Sequence, residues 1–109
     1  MKKNKVLLSI ISVIKNDDKR FSKTLDSLKQ IHRSKAFEHI VIEDIEDKVE
    51  LDFSNKIKNN PHIRYFNETN KTNGIYYAMN RGIEKAKGEY ILFLNAGDRF
   101  LMSKKNILD

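Results

Sequence analysis

Gly74-Ile75-Tyr76-Tyr77-Ala78-Met79-Asn80-Arg81-Gly82-Ile83-Glu84-Lys85-Ala86-Lys87-Gly88-Glu89-Tyr90-Ile91-Leu92-Phe93-Leu94-Asn95-Ala96-Gly97-Asp98 reads as a helix, then a strand, then a polar turn. Ile75, Met79, Ile83 and Ala86 recur at three- and four-residue steps, which predicts one apolar stripe on a helix. Ala78 and Gly82 beside that stripe allow close packing. Gly88 ends the helix, a residue suited to the left-handed position beyond a last turn. Residues 90–94 form an unbroken apolar run, the pattern of a strand buried on both faces, and Asn95-Ala96-Gly97-Asp98 follows at its carboxyl end.

Upstream, the same alternation repeats. Residues 6–13 are a β-branched apolar run that predicts a first buried strand. Asp17 or Asp18 can cap a helix carrying Phe21, Leu25, Leu28 and Ile31 on one face, with its end expected near residues 32–35. Residues 37–42 predict a second strand that runs into the acidic cluster Glu43-Asp44-Ile45-Glu46-Asp47. Leu51, Phe53 and Ile57 fit either a short helix or an irregular loop. Asn59-Asn60-Pro61 is a turn, because proline disfavours helix in the residue before it. Residues 63–66 predict a third strand, and Thr72 or Asn73 can cap the helix that opens at residue 74.

Strands alternating with helices predict an α/β fold with a mainly parallel four-stranded sheet flanked by helices. In such sheets ligands bind outside the carboxyl ends of the strands. Those ends carry residues 12–16, 43–47 and 95–98, so polar and acidic groups gather where a site is expected. A strand ending in Asn95-Ala96-Gly97-Asp98 projects the Asp98 carboxylate into that crevice, with Gly97 giving the backbone room to turn. Hard cations such as Mg²⁺ or Mn²⁺ take oxygen ligands, commonly one or two carboxylates plus substrate phosphates. Asp98 therefore reads as a metal ligand or, alternatively, as the cap of the element that follows.

Taken in order, these segments resemble the family 2 glycosyltransferases of GT-A fold. The resemblance rests on the 74–83 and 86–98 motifs, on Leu8-Ser9-Ile10-Ile11-Ser12-Val13 as first strand, and on residues 22–30 as first helix. It covers about residues 6–108 and implies a Rossmann-like GT-A half that binds a nucleotide-sugar, UDP above all. Ser12, Val13 and Ile14 then stand where relatives lay the nucleobase, although any buried strand ends this way. Glu43 stands at the position of an aspartate that bonds uracil or ribose, and a solvated acidic loop is the other reading. Asn80 could face the nucleotide or bond within its own helix. The resemblance implies Mn²⁺ or Mg²⁺ at Asp98, with Asn95 replacing the first acid of the more common Asp-x-Asp, a usual substitution in the Asn-Ala-Gly-Asp branch. Tyr77 and Thr72 replace aspartates common there.

The complete reaction implied is a metal-dependent, inverting transfer onto a polysaccharide or lipid-linked acceptor. It needs a carboxylate base that no residue here matches. The whole chain is expected to be one truncated GT-A nucleotide-sugar-binding domain, inactive alone. Ser103 reads as a helix cap and Ile107 and Leu108 as the start of a stripe that the sequence cuts short. The alternative is a non-catalytic remnant that associates with itself, through an exposed sheet edge, or with a partner.

Composition narrows the remaining classes. Cysteine is absent, which removes disulfides and cysteine chemistry. Residues 36–52 hold seven acidic groups and one basic, while the flanking segments are basic, for a net charge of +6. The excess of lysine fits solubility or a phosphorylated ligand, and no nucleic-acid recognition motif accompanies it, so nucleic acid is not an expected partner. The three histidines, His32, His39 and His62, show no metal-ligand spacing and read as surface or boundary residues. No apolar run approaches the roughly 18 to 20 residues of a membrane helix. Residues 1–14 lack a cleavage site, so the expected location is the cytoplasm, towards the inner face of the membrane.

Overall fold

A computed structural model describes residues 5–15, 19–44, 52–68 and 74–100. Asp17, Asp18, the 45–47 acidic cluster, Thr72, Asn73 and the features expected beyond residue 100 lie outside the described residues, as do Leu51 and the side chain of Phe53.

Among the described residues four parallel strands stand in the order β3-β2-β1-β4: β1 Leu8–Lys15, β2 Phe37–Asp44, β3 Ile63–Glu68 and β4 Tyr90–Phe93. Between them run α1 Phe21–Ser27, a short 3-10 turn Ile31–Arg33, α2 Asp52–Lys58 and α3 Gly74–Lys85. The segment that the sequence left open between helix and loop is thus α2. The architecture is the α/β one expected, a parallel four-stranded sheet flanked by helices, with β1 and β2 interior.

Strand alternation assigns each side chain to a layer. On β2, Val41 packs with Ile14 of β1 and Phe21 of α1, while Ile40 and Ile42 pack with Ile11 of β1 and Ala78 of α3. Odd-numbered residues of β2 therefore face α1, and even-numbered ones face α3. Phe21, Leu28 and Ile31 are buried as the apolar stripe required. Only Phe21 of these lies on α1, which is shorter than expected and ends at Ser27, while Leu28 follows it and Ile31 opens the 3-10 turn. Ser27 Oγ donates to the Thr24 carbonyl at 2.7 Å, and Leu28 N–H bonds back three residues to Leu25. A hydroxyl competing for a helical carbonyl favours this tightening.

Three expectations are corrected. On α3 the buried positions are Ala78 and Gly82, whereas Ile75 and Ile83 are 49% and 42% exposed. A Cβ on Gly82 would lie 2.5 Å from Ile11 Cγ2, so the small residues bring the helix onto the sheet and the large ones flank the contact. Gly88 is not left-handed, since the positive φ values are at Gly74 (64°) and Gly97 (93°). Its lack of a side chain serves packing against β1. And among the described residues β4 stands at the edge of the sheet rather than buried within it, paired with β1 alone, with Tyr90 64% and Ile91 40% exposed. Among the described residues no helix is long and apolar enough to cross a membrane.

Candidate functional site

The carboxyl ends of β1 and β2, the start of α3 and the turn after β4 enclose a cavity of about 340 Å³. Val13, Ile14, Lys15, Arg20, Asp44, Gly74, Ile75, Ala78, Asn95 and Ala96 line it. That volume lies at the lower end of the range for small-ligand pockets.

The turn after β4 is tightly built. Asp98 N–H donates to the Asn95 carbonyl at 2.9 Å, and Gly97 between them has φ 93°. A four-residue turn with positive φ at its third position calls for glycine there. Asn95 N–H donates to Asp98 Oδ2 at 2.9 Å, and Val13 N–H donates to Asn95 Oδ1 at 2.9 Å, tying the turn to β1. From α1, the buried Thr24 hydroxyl donates to the Asp98 carbonyl at 2.6 Å and accepts from Gly97 N–H at 3.1 Å. Ser27 Oγ accepts from Phe100 N–H at 2.9 Å. Thr24 and Ser27 escaped the sequence reading because they lie on the helix face of residues otherwise read as apolar or solvated. The Asn95 amide has a positioning role that its replacement of an acid did not suggest.

Of the six residues singled out in the sequence, Val13 and Ile14 line the cavity. Ser12 is fully buried, with its Oγ donating to the Leu94 carbonyl at 2.5 Å. Glu43 is also fully buried, on the α1 side, where Oε1 accepts from Tyr65 Oη at 2.5 Å. The solvated reading of Glu43 is therefore excluded. Asn80 is exposed on α3 outside the cavity lining. Asp98 is exposed, two residues past the lining residue Ala96.

Asp44 is the acid that reaches the cavity, and the sequence reading did not select it. Its even number puts it on the α3 face, opposite Glu43, and its register partner on β1 is Lys15. Asp44 Oδ1 is buried and has no hydrogen-bond partner among the described residues. A buried acceptor left unpaired is destabilising by about 1–3 kcal/mol, which a ligand donor would recover. The strand alternation across Glu43-Asp44 was the signal that could have found it.

Elsewhere Glu38 joins three elements. Its carboxylate accepts from Ser9 Oγ, from Arg64 at 2.8 Å and from Lys87 N–H at 2.6 Å. Burial alone would raise its pKa, but those donors outweigh burial and lower it. The three histidines, read as surface or boundary residues, are brought together at the 3-10 turn, and His39 is 2% exposed. A second hollow beside α1 is lined by Lys23, Asp26, Ser27, Arg99 and Phe100.

Comparison with known proteins agrees with this architecture. Residues 1–349 of S. aureus TarS, a crystal structure, superpose with a TM-score of 0.67 at 23% identity, over 86% of this chain and 28% of that one. The chain thus spans just over a quarter of that structure, and the likeness bears on fold. No curated protein matches the chain. The glycosyl transferase family 2 model matches residues 9–104, from the second residue of β1 through the turn that carries Asp98, and with the sheet, turn and crevice in the positions described, the chain belongs to glycosyl transferase family 2.

Proposed function

We propose that the crevice holds the nucleotide of a nucleotide-sugar donor, UDP above all, and that this chain is the donor-binding half of a sugar-transferring enzyme. The observation that carries the reading is Asp44, whose carboxylate lines the cavity at the carboxyl ends of β1 and β2 and whose Oδ1 has no hydrogen-bond partner among the described residues. Uracil presents a ring N–H that such an oxygen accepts. Val13, Ile14 and Ala96 supply apolar walls for a flat ring, and Lys15 and Arg20 supply positive charge for a diphosphate. Gly74 and Ile75 at the start of α3 line the same cavity, and a first helical turn offers N–H groups and the positive end of its dipole to an anion.

Asp98 fits a hard divalent ion, Mn²⁺ or Mg²⁺, because its exposed carboxylate is held by Asn95 N–H through Oδ2 and supplies oxygen donors. Among the described residues no three His, Asp or Glu side chains gather as a metal site, so such an ion would draw on phosphate and water for its other ligands. When bound, it would neutralise charge on the departing nucleoside diphosphate. Thr24, Asn95 and Gly97 hold the turn that presents Asp98. The acceptor site and the proton-accepting base belong, in this proposal, to a longer enzyme, and inverting transfer onto a polysaccharide or lipid-linked acceptor is its reaction.

Asp44→Ala separates binding from stability. The variant should be as stable as wild type or more so in denaturant, because it removes an unpaired buried oxygen, yet bind UDP about 10- to 100-fold more weakly. Equal UDP affinity in calorimetric titrations of the two proteins would remove Asp44 from the donor site.

A further inference from the structure

His39 on β2 connects two distant regions. Its Nδ1 lies 3.1 Å from His32 Nε2, and its Nε2 lies 2.8 Å from Ser12 Oγ. His32 in turn stacks on His62, with ring centroids 5.7 Å apart and planes at 16°. Counting hydrogens fixes the directions. Leu94 O can only accept, so the one hydroxyl hydrogen of Ser12 lies in that 2.5 Å contact. The hydrogen between Ser12 and His39 must then come from His39 Nε2. Burial, and next the charge of His32, lower the His39 pKa to about 3, so the ring is neutral and its Nδ1 carries a lone pair. His32 Nε2–H therefore donates to it. The Leu94 carbonyl shares its peptide group with Asn95 N–H, which donates to Asp98 Oδ2 at 2.9 Å. Every donor from His32 to Asp98 points the same way.

We propose that this series is a relay through which the charge state of His32 is felt at the Asp98 carboxylate, with His39 and Ser12 as positioning residues. Aligned hydrogen bonds polarise one another in a low-dielectric interior. When His32 gains a proton at Nδ1 it keeps its Nε2–H, so the series stays intact and each donor strengthens. The last donor, Asn95 N–H, then draws density from Asp98 and weakens its hold on a cation. The titratable groups facing His32 are His39 from β2 and His62 from the turn before β3, while Lys29 and Arg33 flank it on its own segment. Burial, then the charge of His62, lower the His32 pKa, so the relay is polarised under acid conditions and relaxed above them. The consequence for metal binding rests on the role proposed for Asp98, but the relay does not.

Nuclear magnetic resonance of the ¹⁵N-labelled protein tests the relay without metal or nucleotide, between about pH 8 and about pH 5, where histidine titrates. The Asn95 amide should shift with the midpoint of the His32 ring. The shift should vanish in Ser12→Ala while His32 still titrates. It should persist in His39→Gln, whose amide can both donate to Ser12 and accept from His32. If Ser12→Ala does not fold, His32→Phe serves instead and should leave the Asn95 amide flat. A flat Asn95 amide in wild type, or one that still follows His32 in Ser12→Ala or keeps its shift in His32→Phe, overturns the relay. Mn²⁺ and UDP titrations run separately, so a failed relay and a failed donor site are told apart.

Discussion

Acidification from pH 7 to pH 5 should remove about 2 kcal/mol of stability through His39 alone, and about 3 kcal/mol by pH 4. The unfolded ring takes a proton as pH falls below 6.5, whereas the buried native ring resists until about pH 3. The unfolded state therefore binds more protons across that window, and stability falls with pH. The contribution is whole above pH 6.5 and is lost progressively towards pH 3. His32, also lowered, acts in the same direction. The depressed Glu38 adds to the loss only below its ordinary 4.5, as its donors from Ser9, Lys87 and Arg64 lose their charged partner. A domain typically has only about 5–15 kcal/mol in hand, so the effect is large. Urea unfolding of wild type and His39→Gln at pH 7 and pH 5 measures it. The variant should show a much flatter pH dependence, and equal slopes would mean that His39 is not the buried neutral group described.

The second large effect is expected at Gly88. A Cβ there would lie 2.6 Å from Ser9 N, 2.6 Å from Ser9 Oγ and 2.9 Å from Leu8 C. Two of these are backbone atoms where β1 enters the sheet and cannot swing aside. Gly88 N–H also donates to Ser9 Oγ at 2.8 Å, and Ser9 Oγ donates to Glu38, so the clash opens the latch joining the end of α3 to β1 and β2. Gly88→Ala should destabilise by about 3 kcal/mol, the upper end for overpacking. Gly82→Ala should cost less. Its added Cβ meets the Ile11 side chain, which can shift, and alanine gains about 1 kcal/mol in helix propensity over glycine. Denaturation of both variants checks the order, and a Gly88→Ala protein within 1 kcal/mol of wild type contradicts the packing described.

Much of the layer structure was legible because buried parallel strands write themselves as apolar runs. The runs around Ile10, Val41, Tyr65 and Leu92 each became a strand, and the β-α alternation implied the parallel sheet. The errors have a common physical source. Periodicity ranks residues by hydrophobicity, but α3 meets the sheet through its smallest residues, Ala78 and Gly82, so size and not apolarity chose its buried face. The run at residues 90–94 reads as fully buried, yet strand order, which the run does not encode, leaves β4 at an edge. Glycine at residue 88 read as a left-handed helix end, whereas its constraint is the neighbouring strand.

At the site, the Asn95-Ala96-Gly97-Asp98 turn was readable because its chemistry is local, glycine at the positive-φ position included. Asp44 was not, because its distinction from Glu43 depends on which sheet face each occupies. The convergence of His32, His39 and His62 is a tertiary fact with no local trace. Thr24 likewise gains its meaning only from the turn it supports, more than 70 residues away.

On the proposed function, the crevice binds a nucleotide diphosphate beside an ion held by Asp98. Calorimetric titration of UDP into wild type and Asp98→Ala, with Mn²⁺ and with a chelator in its place, tests it most directly. UDP should bind wild type more tightly with Mn²⁺ than without, and Asp98→Ala should abolish the gain while leaving the metal-free affinity nearly unchanged. UDP binding that is independent of Mn²⁺ and untouched by the substitution, or no binding at all, would contradict the account.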